Sequence, residues 1–345
     1  MNTRTDEKSL FRTHAWTGIA AAAVLGLTAC GGDGDADTGG EGGEGTHAVE
    51  HRFGTAEVEA PEDGELTVVA LGRSDAEVAL ALGAQPAGVY DWMWMGEENH
   101  GVGPWAVDLV EEEPTYIGAA GEDYDFELIQ SLAPDVILNV NSDYDEATHN
   151  RLSGIAPTVS GPEGAAPWMP GWDHQVELIA EALGVPEEGE QLIADVEEEL
   201  ASYAEENPEF SELTAVSAGK GAEQFGLNVG QDMRWRILEE LGFELYSEAE
   251  TAVGDSDAYF VDVSEEQVEV FNADIGVFFA SGWTYEELTG DPLLNSLDVV
   301  EDERAVFIDP DSDLQAAFAA GNALSIPVVL EELTPQLQEA AAEVE

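Results

Sequence analysis

The apolar positions of this chain fall into short runs broken by Gly, Pro and acidic residues. Their spacing shifts from strand-like to helical and back. Residues 66–71, Leu-Thr-Val-Val-Ala-Leu, form a β-branched apolar run that predicts a buried strand. The break at Gly72-Arg73-Ser74-Asp75 ends it; residues 76–82 carry a helical pattern stopped by Gly83, and residues 87–90 predict a second short strand. The pattern then predicts a helix over 126–132, a strand over 136–140, an extended piece over 155–159 and a helix over 172–183. Strands alternating with helices imply α/β layers with mainly parallel pairing.

The longest helical pattern covers residues 186–203. Pro186 suits a first helical turn, where its missing N–H costs nothing. Leu192, Ile193, Val196, Leu200 and Tyr203 share one stripe at helical spacing, and Asn207-Pro208 closes the pattern. Beyond it the alternation restarts, with strands over 214–217, 275–279 and 306–308 and helices over 233–241 and 325–342. The expected plan is an α/β half over 58–185, a connecting helix over 186–207 and a second α/β half over 208–345.

The N-terminus reads differently. Arg4, Lys8 and Arg12 precede an apolar stretch over 15–27 that is too short for a good bilayer span. It ends in Leu27-Thr28-Ala29-Cys30, and Cys30 is the only cysteine of the chain. This ending resembles the lipobox of bacterial lipoproteins. The resemblance implies a signal peptide over 1–29, cleavage before Cys30 and lipid on its sulfur, leaving the protein anchored outside the cytoplasm at the cell membrane. Residues 30–57, rich in Gly, Asp, Glu and Thr, are expected to form a flexible acidic linker. No later segment is apolar for long enough to cross a bilayer, so the remainder is expected to be soluble.

Charge changes the picture of habitat rather than of fold. The chain holds 74 acidic and 10 basic residues, a net of −64. Loss of residues 1–29 removes Asp6, Glu7, Arg4, Lys8 and Arg12, leaving 72 acidic and 7 basic side chains and a net of −65. Such a field excludes nucleic acid as a partner. It predicts a halophilic protein, whose self-repulsion is tolerable because molar salt cuts the screening length to about 3 Å.

The two halves also correspond. Asp125-Phe126-Glu127 precedes Asp135 and the strand Val136-Ile137-Leu138; Ser264-Glu265-Glu266 precedes Asp274 and the strand Ile275-Gly276-Val277. In each half a Glu stands eight positions before an Asp that introduces a buried strand. Asp125 and Ser264 are suitable N-caps, which places Glu127 and Glu266 in first helical turns. The helix dipole favours carboxylates there on structural grounds alone.

Residues 126–138 (FELIQSLAPDVIL), 151–159 (RLSGIAPTV) and 263–268 (VSEEQV) resemble the substrate-binding lipoproteins of bacterial iron–siderophore ABC importers. Residues 82–89 (LGAQPAGV) and 238–242 (LEELG) fit the same resemblance, which runs from about Leu66 to Leu333. It implies two Rossmann-like lobes joined by one long α-helix, a ligand cleft between them, no catalysis and a monomeric receptor. It further implies delivery of a ferric siderophore to an ABC permease dimer, with Glu127 and Glu266 meeting permease arginines, a pairing that suits bidentate geometry.

Cleft residues are expected on loops at the C-terminal ends of strands. These are Arg73, Trp92, Trp94 and Tyr144 in the first half and Arg234, Trp235, Arg236 and Trp283 in the second. Arg73, Arg234 and Arg236 are candidates for holding an anionic chelate; the aromatic residues are candidate walls. Receptors of the same fold for cobalamin, haem or a metal ion remain open. A metal ion would need His, Asp or Glu ligands in the cleft, whereas His100, His149 and His174 are scattered. A secreted hydrolase is the alternative of another class, but the chain has no G-x-S-x-G and no H-E-x-x-H. No cofactor and no resident metal are expected.

Overall fold

The computed structural model describes residues 45–61, 65–221, 224–254 and 259–344. The leader, Cys30 and the first part of the expected linker lie outside that range. The described chain begins with a hairpin in which β1 (Thr46–His51) pairs antiparallel with β2 (Gly54–Glu59). This corrects the expected linker over 30–57 from Thr46 onward, where the chain is a folded hairpin. Val49, Ala56 and Val58 are buried in the main core while Glu50, Glu57 and Glu59 stay exposed, so a period-two pattern carries the segment into folded structure.

The first lobe is built on β3 (Val68–Ala70), β4 (Pro86–Asp91), β5 (Thr115–Ala119), β6 (Val136–Asn139) and β7 (Thr158–Ser160). The spatial order is β5-β4-β3-β6-β7 and every pairing is parallel. The helices α1 (Asp75–Ala81), α2 (Phe126–Ser131), α3 (Glu146–Ser153) and α4 (Trp172–Leu183) complete it. Then comes α5 (Pro186–Glu206), 21 residues long and therefore roughly 30 Å at 1.5 Å per residue. Its predicted stripe packs on the core, with Val196 and Leu200 buried and Leu192, Ile193 and Tyr203 against them.

The second lobe holds β8 (Thr214–Lys220), β9 (Phe225–Asn228), β10 (Glu244–Leu245), β11 (Phe260–Val263), β12 (Ile275–Ala280) and β13 (Ala305–Phe307). Its order is β11-β9-β8-β12-β13, with β10 also on β8. Here β9 runs antiparallel to both β8 and β11, so mainly parallel pairing holds in the first lobe and only in part of the second. Around this sheet lie α6 (Met233–Glu240), α7 (Ser247–Val253), α8 (Tyr285–Thr289), α9 (Asp298–Glu301), α10 (Asp313–Ala320) and α11 (Ser325–Ala341). The two sheets are separate, with the long helix between them in sequence.

The internal correspondence has a structural meaning. Asp135 accepts the backbone N–H of Thr67 at 2.8 Å, and Asp274 accepts that of Thr214 at 2.9 Å. Each aspartate thus ties the first strand of its lobe to the strand it precedes. Asp125 caps α2 by accepting from Glu127 and Leu128, as expected. Ser264 donates to Gln267 instead, and residues 265–271 form a tighter 3₁₀ helix.

Candidate functional site

In the first sheet the chain steps from β3 to β4 and β5 on one side and to β6 and β7 on the other. The crevice beyond the C-terminal ends of β3 and β6 is therefore a switch point, where open α/β sheets place ligands. The turn after β3 carries Arg73, and the turn after β6 carries Asn141. Four bonds lock the two turns together. Arg73 donates its backbone N–H to the Asn141 carbonyl at 2.8 Å. Asp75 accepts the Val140 N–H at 2.7 Å, and Gln175 of α4 donates to Asp75 at 2.7 Å and to the Arg73 carbonyl at 2.9 Å. Burial pushes the Asp75 carboxyl up to about 6, against the opposing pull of those donors. Gly72 has no room for a side chain, since a Cβ would stand 2.2 Å from an Asp75 oxygen.

Arg73 faces the second lobe in a narrow cleft. The first lobe supplies Arg73, Asn141 and the loop from Trp168 to Trp172; the second supplies Asp232, Arg234 and Phe318. The cavity between them measures about 20 Å³, room for about one water. The Arg73 guanidinium donates to the Trp168 carbonyl at 3.3 Å, its Nε is buried without a partner, and no carboxylate among the described residues comes within 4.0 Å. Burial, and then the charge of Arg234, push its pKa down, yet a guanidinium cannot discharge in a protein. The side-chain oxygen of Asn141, a residue 4% exposed, is buried beside it without a donor. This corner holds a buried guanidinium N–H and a buried amide oxygen that find no partner in the protein.

Arg234 is answered. It holds both oxygens of Asp232, the N-cap of α6, through Nε at 2.8 Å and Nη2 at 2.5 Å. Trp235 is corrected from cleft wall to core: it is 4% exposed and packs in the main cluster. Arg236 is corrected as well, for it pairs with Glu240 at 2.9 Å and lies outside the cleft lining. The reason is helical geometry. Three consecutive residues on α6 point about 100° apart, so only one of them can face the cleft.

The other expected walls disperse. Tyr144 is buried with the Arg52 guanidinium 3.8 Å above its ring and is absent from the cleft lining. Trp283 sits beside Lys220 at the end of β12 and donates to the Gly221 carbonyl at 3.1 Å. Trp94 is 73% exposed. Trp92 alone reaches the site, packing edge-on against Trp168 at 4.6 Å. Beyond that pair opens a groove of about 450 Å³ lined by Trp92, Tyr124, Phe126 and Arg151 together with Glu122, Asp123 and Asp143. Its volume lies in the usual range for small-ligand pockets. Trp168, which is not among the residues expected from the sequence, lines the narrow cleft and meets the wall of the groove through Trp92.

A hydrogen-bonded tie joins the lobes. Glu77 of α1 is buried and accepts from the Gly103 N–H, the Trp105 indole N–H and the side-chain amide of Asn322, which lies between α10 and α11. Burial raises the Glu77 carboxyl pKa. Glu127 and Glu266, in contrast, are exposed at the starts of their helices.

A family model described as a periplasmic binding protein matches residues 68–312. Among solved structures, a periplasmic solute binding protein from Mycobacterium smegmatis is 27% identical, with 87% of this chain and 100% of that chain covered and a TM-score of 0.73. Streptococcus pneumoniae PiaA in complex with ferrichrome is 24% identical, with 86% and 99% covered and a TM-score of 0.70. Staphylococcus aureus SirA complexed with staphyloferrin B is 22% identical, with 84% and 98% covered and a TM-score of 0.69. No curated protein matches the chain in sequence.

Proposed function

This chain belongs to the periplasmic binding protein family, and we propose that it captures an anionic ferric siderophore and delivers it to an ABC importer permease. The observation that carries this reading is Arg73, a guanidinium in the cleft with a buried, unpartnered Nε in a chain of net charge −64. Where carboxylates are so abundant, a cation left without one is poised for an anion that arrives from outside. The shared fold with proteins solved bound to ferrichrome and to staphyloferrin B supports the choice of ligand class. A chelate does not fit about 20 Å³, so capture parts the lobes, with α5 and the Glu77–Asn322 tie limiting how far they separate.

The same reading places lipid on Cys30 after removal of residues 1–29, a monomer held at the outer side of the cell membrane, and docking of Glu127 and Glu266 on permease arginines. It also makes the protein a receptor rather than a catalyst and a resident of high salt. Quenching of tryptophan fluorescence by a panel of neutral and anionic ferric chelates tests it. Anionic chelates quench saturably in the wild type, and Arg73→Gln weakens them at least tenfold while leaving neutral chelates within twofold. Absence of saturable quenching by every ferric chelate overturns the ligand class; equal loss for neutral and anionic chelates overturns the role of Arg73.

A further inference from the structure

The N-terminal hairpin lies outside the residues that the family model matches, yet its tip holds the loop that leads into the wall of the cleft. The two-residue turn between β1 and β2 is Arg52-Phe53. Arg52 donates its backbone N–H to the Gly161 carbonyl at 3.0 Å and its Nη1 to the Ala165 carbonyl at 3.0 Å. Its guanidinium lies over the Tyr144 ring at 3.8 Å, and Phe53 stacks on His149 of α3 at 4.5 Å. Gly161 lets the Tyr144 ring sit this close, since a Cβ there would stand 2.2 Å from the phenol oxygen.

The carbonyls that Arg52 holds belong to the loop between β7 and α4, which ends in the cleft wall. Three residues past Ala165 stands Trp168, at φ +67, a strained setting for a bulky residue. Its N–H donates to the Ser142 carbonyl at 2.9 Å, its carbonyl takes the Arg73 guanidinium, and its ring meets Trp92. A single bridge between Ala166 and Met169 joins the two sides of this turn. Strain at Trp168 persists only if neighbours over-determine the loop, and Arg52 grips the base of that turn from a separate element.

We propose that Arg52 is a positioning residue for the ligand site: by clamping Gly161 and Ala165 it holds Trp168 against Trp92 and keeps its carbonyl aimed at Arg73. The planar fork suits this task, because one group donates to a carbonyl while stacking on a ring. A lysine keeps the donor and loses the stack. The inference rests on the cleft being the ligand site, but its first test does not need a ligand. Two indoles packed at this distance couple, giving a paired positive and negative band in ultraviolet circular dichroism.

Arg52→Ala is expected to reduce that couplet by at least half, with Trp168→Phe marking its zero and Arg304→Gln, in the second lobe, leaving it unchanged. Affinity for the tightest ferric chelate of the panel then falls about tenfold, and Arg52→Lys recovers only part of both signals. A couplet at wild-type amplitude together with binding within twofold overturns the proposal. Where Arg52→Ala does not fold, Arg52→Gln, which keeps a donor for Ala165, carries the same two readouts. If the wild type binds no chelate, the proposed function fails and the couplet still decides the role of Arg52.

Discussion

The two lobes treat their few cations in opposite ways. In the second lobe Lys220 pairs with Asp291, Arg234 with Asp232, Arg236 with Glu240 and Arg304 with Asp302. In the first lobe Arg52 lies over Tyr144, Arg151 lies 3.5 Å over Phe126, and Arg73 meets only a carbonyl; none has a carboxylate within 4.0 Å among the described residues. With 74 acidic residues in the chain, pairing is the default outcome for any cation. Three exceptions in one lobe therefore mark a region whose carboxylates stand back, or turn to other tasks. Asp75 and Glu77, nearest in sequence to Arg73, are taken up by backbone N–H groups, Gln175, Trp105 and Asn322. The first lobe keeps positive charge available, and the second spends its own internally.

The largest effect expected from this contrast lies in the second lobe. Lys220 and Asp291 form a mostly buried pair, their side chains 12% and 7% exposed, and Lys220 also faces the rings of Phe225 and Trp283. Lys220→Ala leaves Asp291 without its counter-charge and is expected to cost about 3 kcal/mol, the usual scale for breaking such a pair. Denaturant unfolding at fixed high salt measures it. A loss under 1 kcal/mol would mean that the second lobe does not depend on its pairs, and the contrast would dissolve.

The opposite sign is expected in the first lobe. Arg73→Gln removes a buried charge whose desolvation outweighs the pull of Asp232, Glu77 and the Trp168 carbonyl, so stability is expected to hold or to rise by about 1 kcal/mol. The same variant loses at least tenfold in affinity for an anionic chelate, which is about 1.4 kcal/mol of binding. Binding lost while stability is kept is the signature of a group held for a ligand. If unfolding instead shows Arg73→Gln destabilised as strongly as Lys220→Ala, Arg73 is structural.

How much of this was legible in the sequence follows from what pattern can and cannot encode. The stripe from Leu192 to Tyr203 is unambiguous because a 21-residue helix repeats its signal many times. The same holds for β3, β6, β8 and β12, whose apolar runs are buried on both faces. The hairpin was missed because only Val49, Ala56 and Val58 carry its pattern among Gly and Glu. The alternation of Val49 with Glu50, and of Ala56 and Val58 with Glu57 and Glu59, was the available signal. The site was half legible. Arg73 and Trp92 follow strands and reach the crevice, whereas the run Arg234-Trp235-Arg236 reads as one feature and divides among cleft, core and surface. Trp168 and Arg52 gave no local signal, since their role depends on a contact across 113 positions of chain.

A smaller effect tests how the first lobe shields the hairpin tip. His51 lies against His149, their rings 5.2 Å apart, and Phe53 covers both. Burial, and then the charge of His149, lower the His51 pKa from 6.5 to about 4; burial lowers His149 too, against the pull of Glu146. A base whose folded pKa is depressed binds fewer protons folded than unfolded. Its contribution is therefore full above pH 6.5 and declines as pH falls from 6.5 toward 4. Many carboxylates titrate over the same range, so the useful quantity is the stability difference between wild type and His51→Gln. That difference is expected to be constant above pH 6.5 and to shift against the wild type below it; a difference flat from pH 7.5 to 4.5 contradicts the shielding.

The smallest effect returns to the second lobe and to one of the three arginines that the sequence offers as ligand groups. Arg236 and Glu240 are four positions apart on α6, with side chains 26% and 45% exposed. Such helix pairs contribute roughly 0.3–0.5 kcal/mol, and high salt reduces this further. Arg236→Gln is therefore expected to shift stability by less than 0.5 kcal/mol and to leave chelate binding within twofold. Beside Arg73→Gln it is the sharper half of the comparison, because both remove one arginine charge from the same chain. If net charge alone governed capture of an anion by so acidic a protein, the two variants would lose affinity equally. A tenfold loss confined to Arg73 shows instead that position at the switch point, and the absence of a counter-charge there, decide which cation the ligand meets.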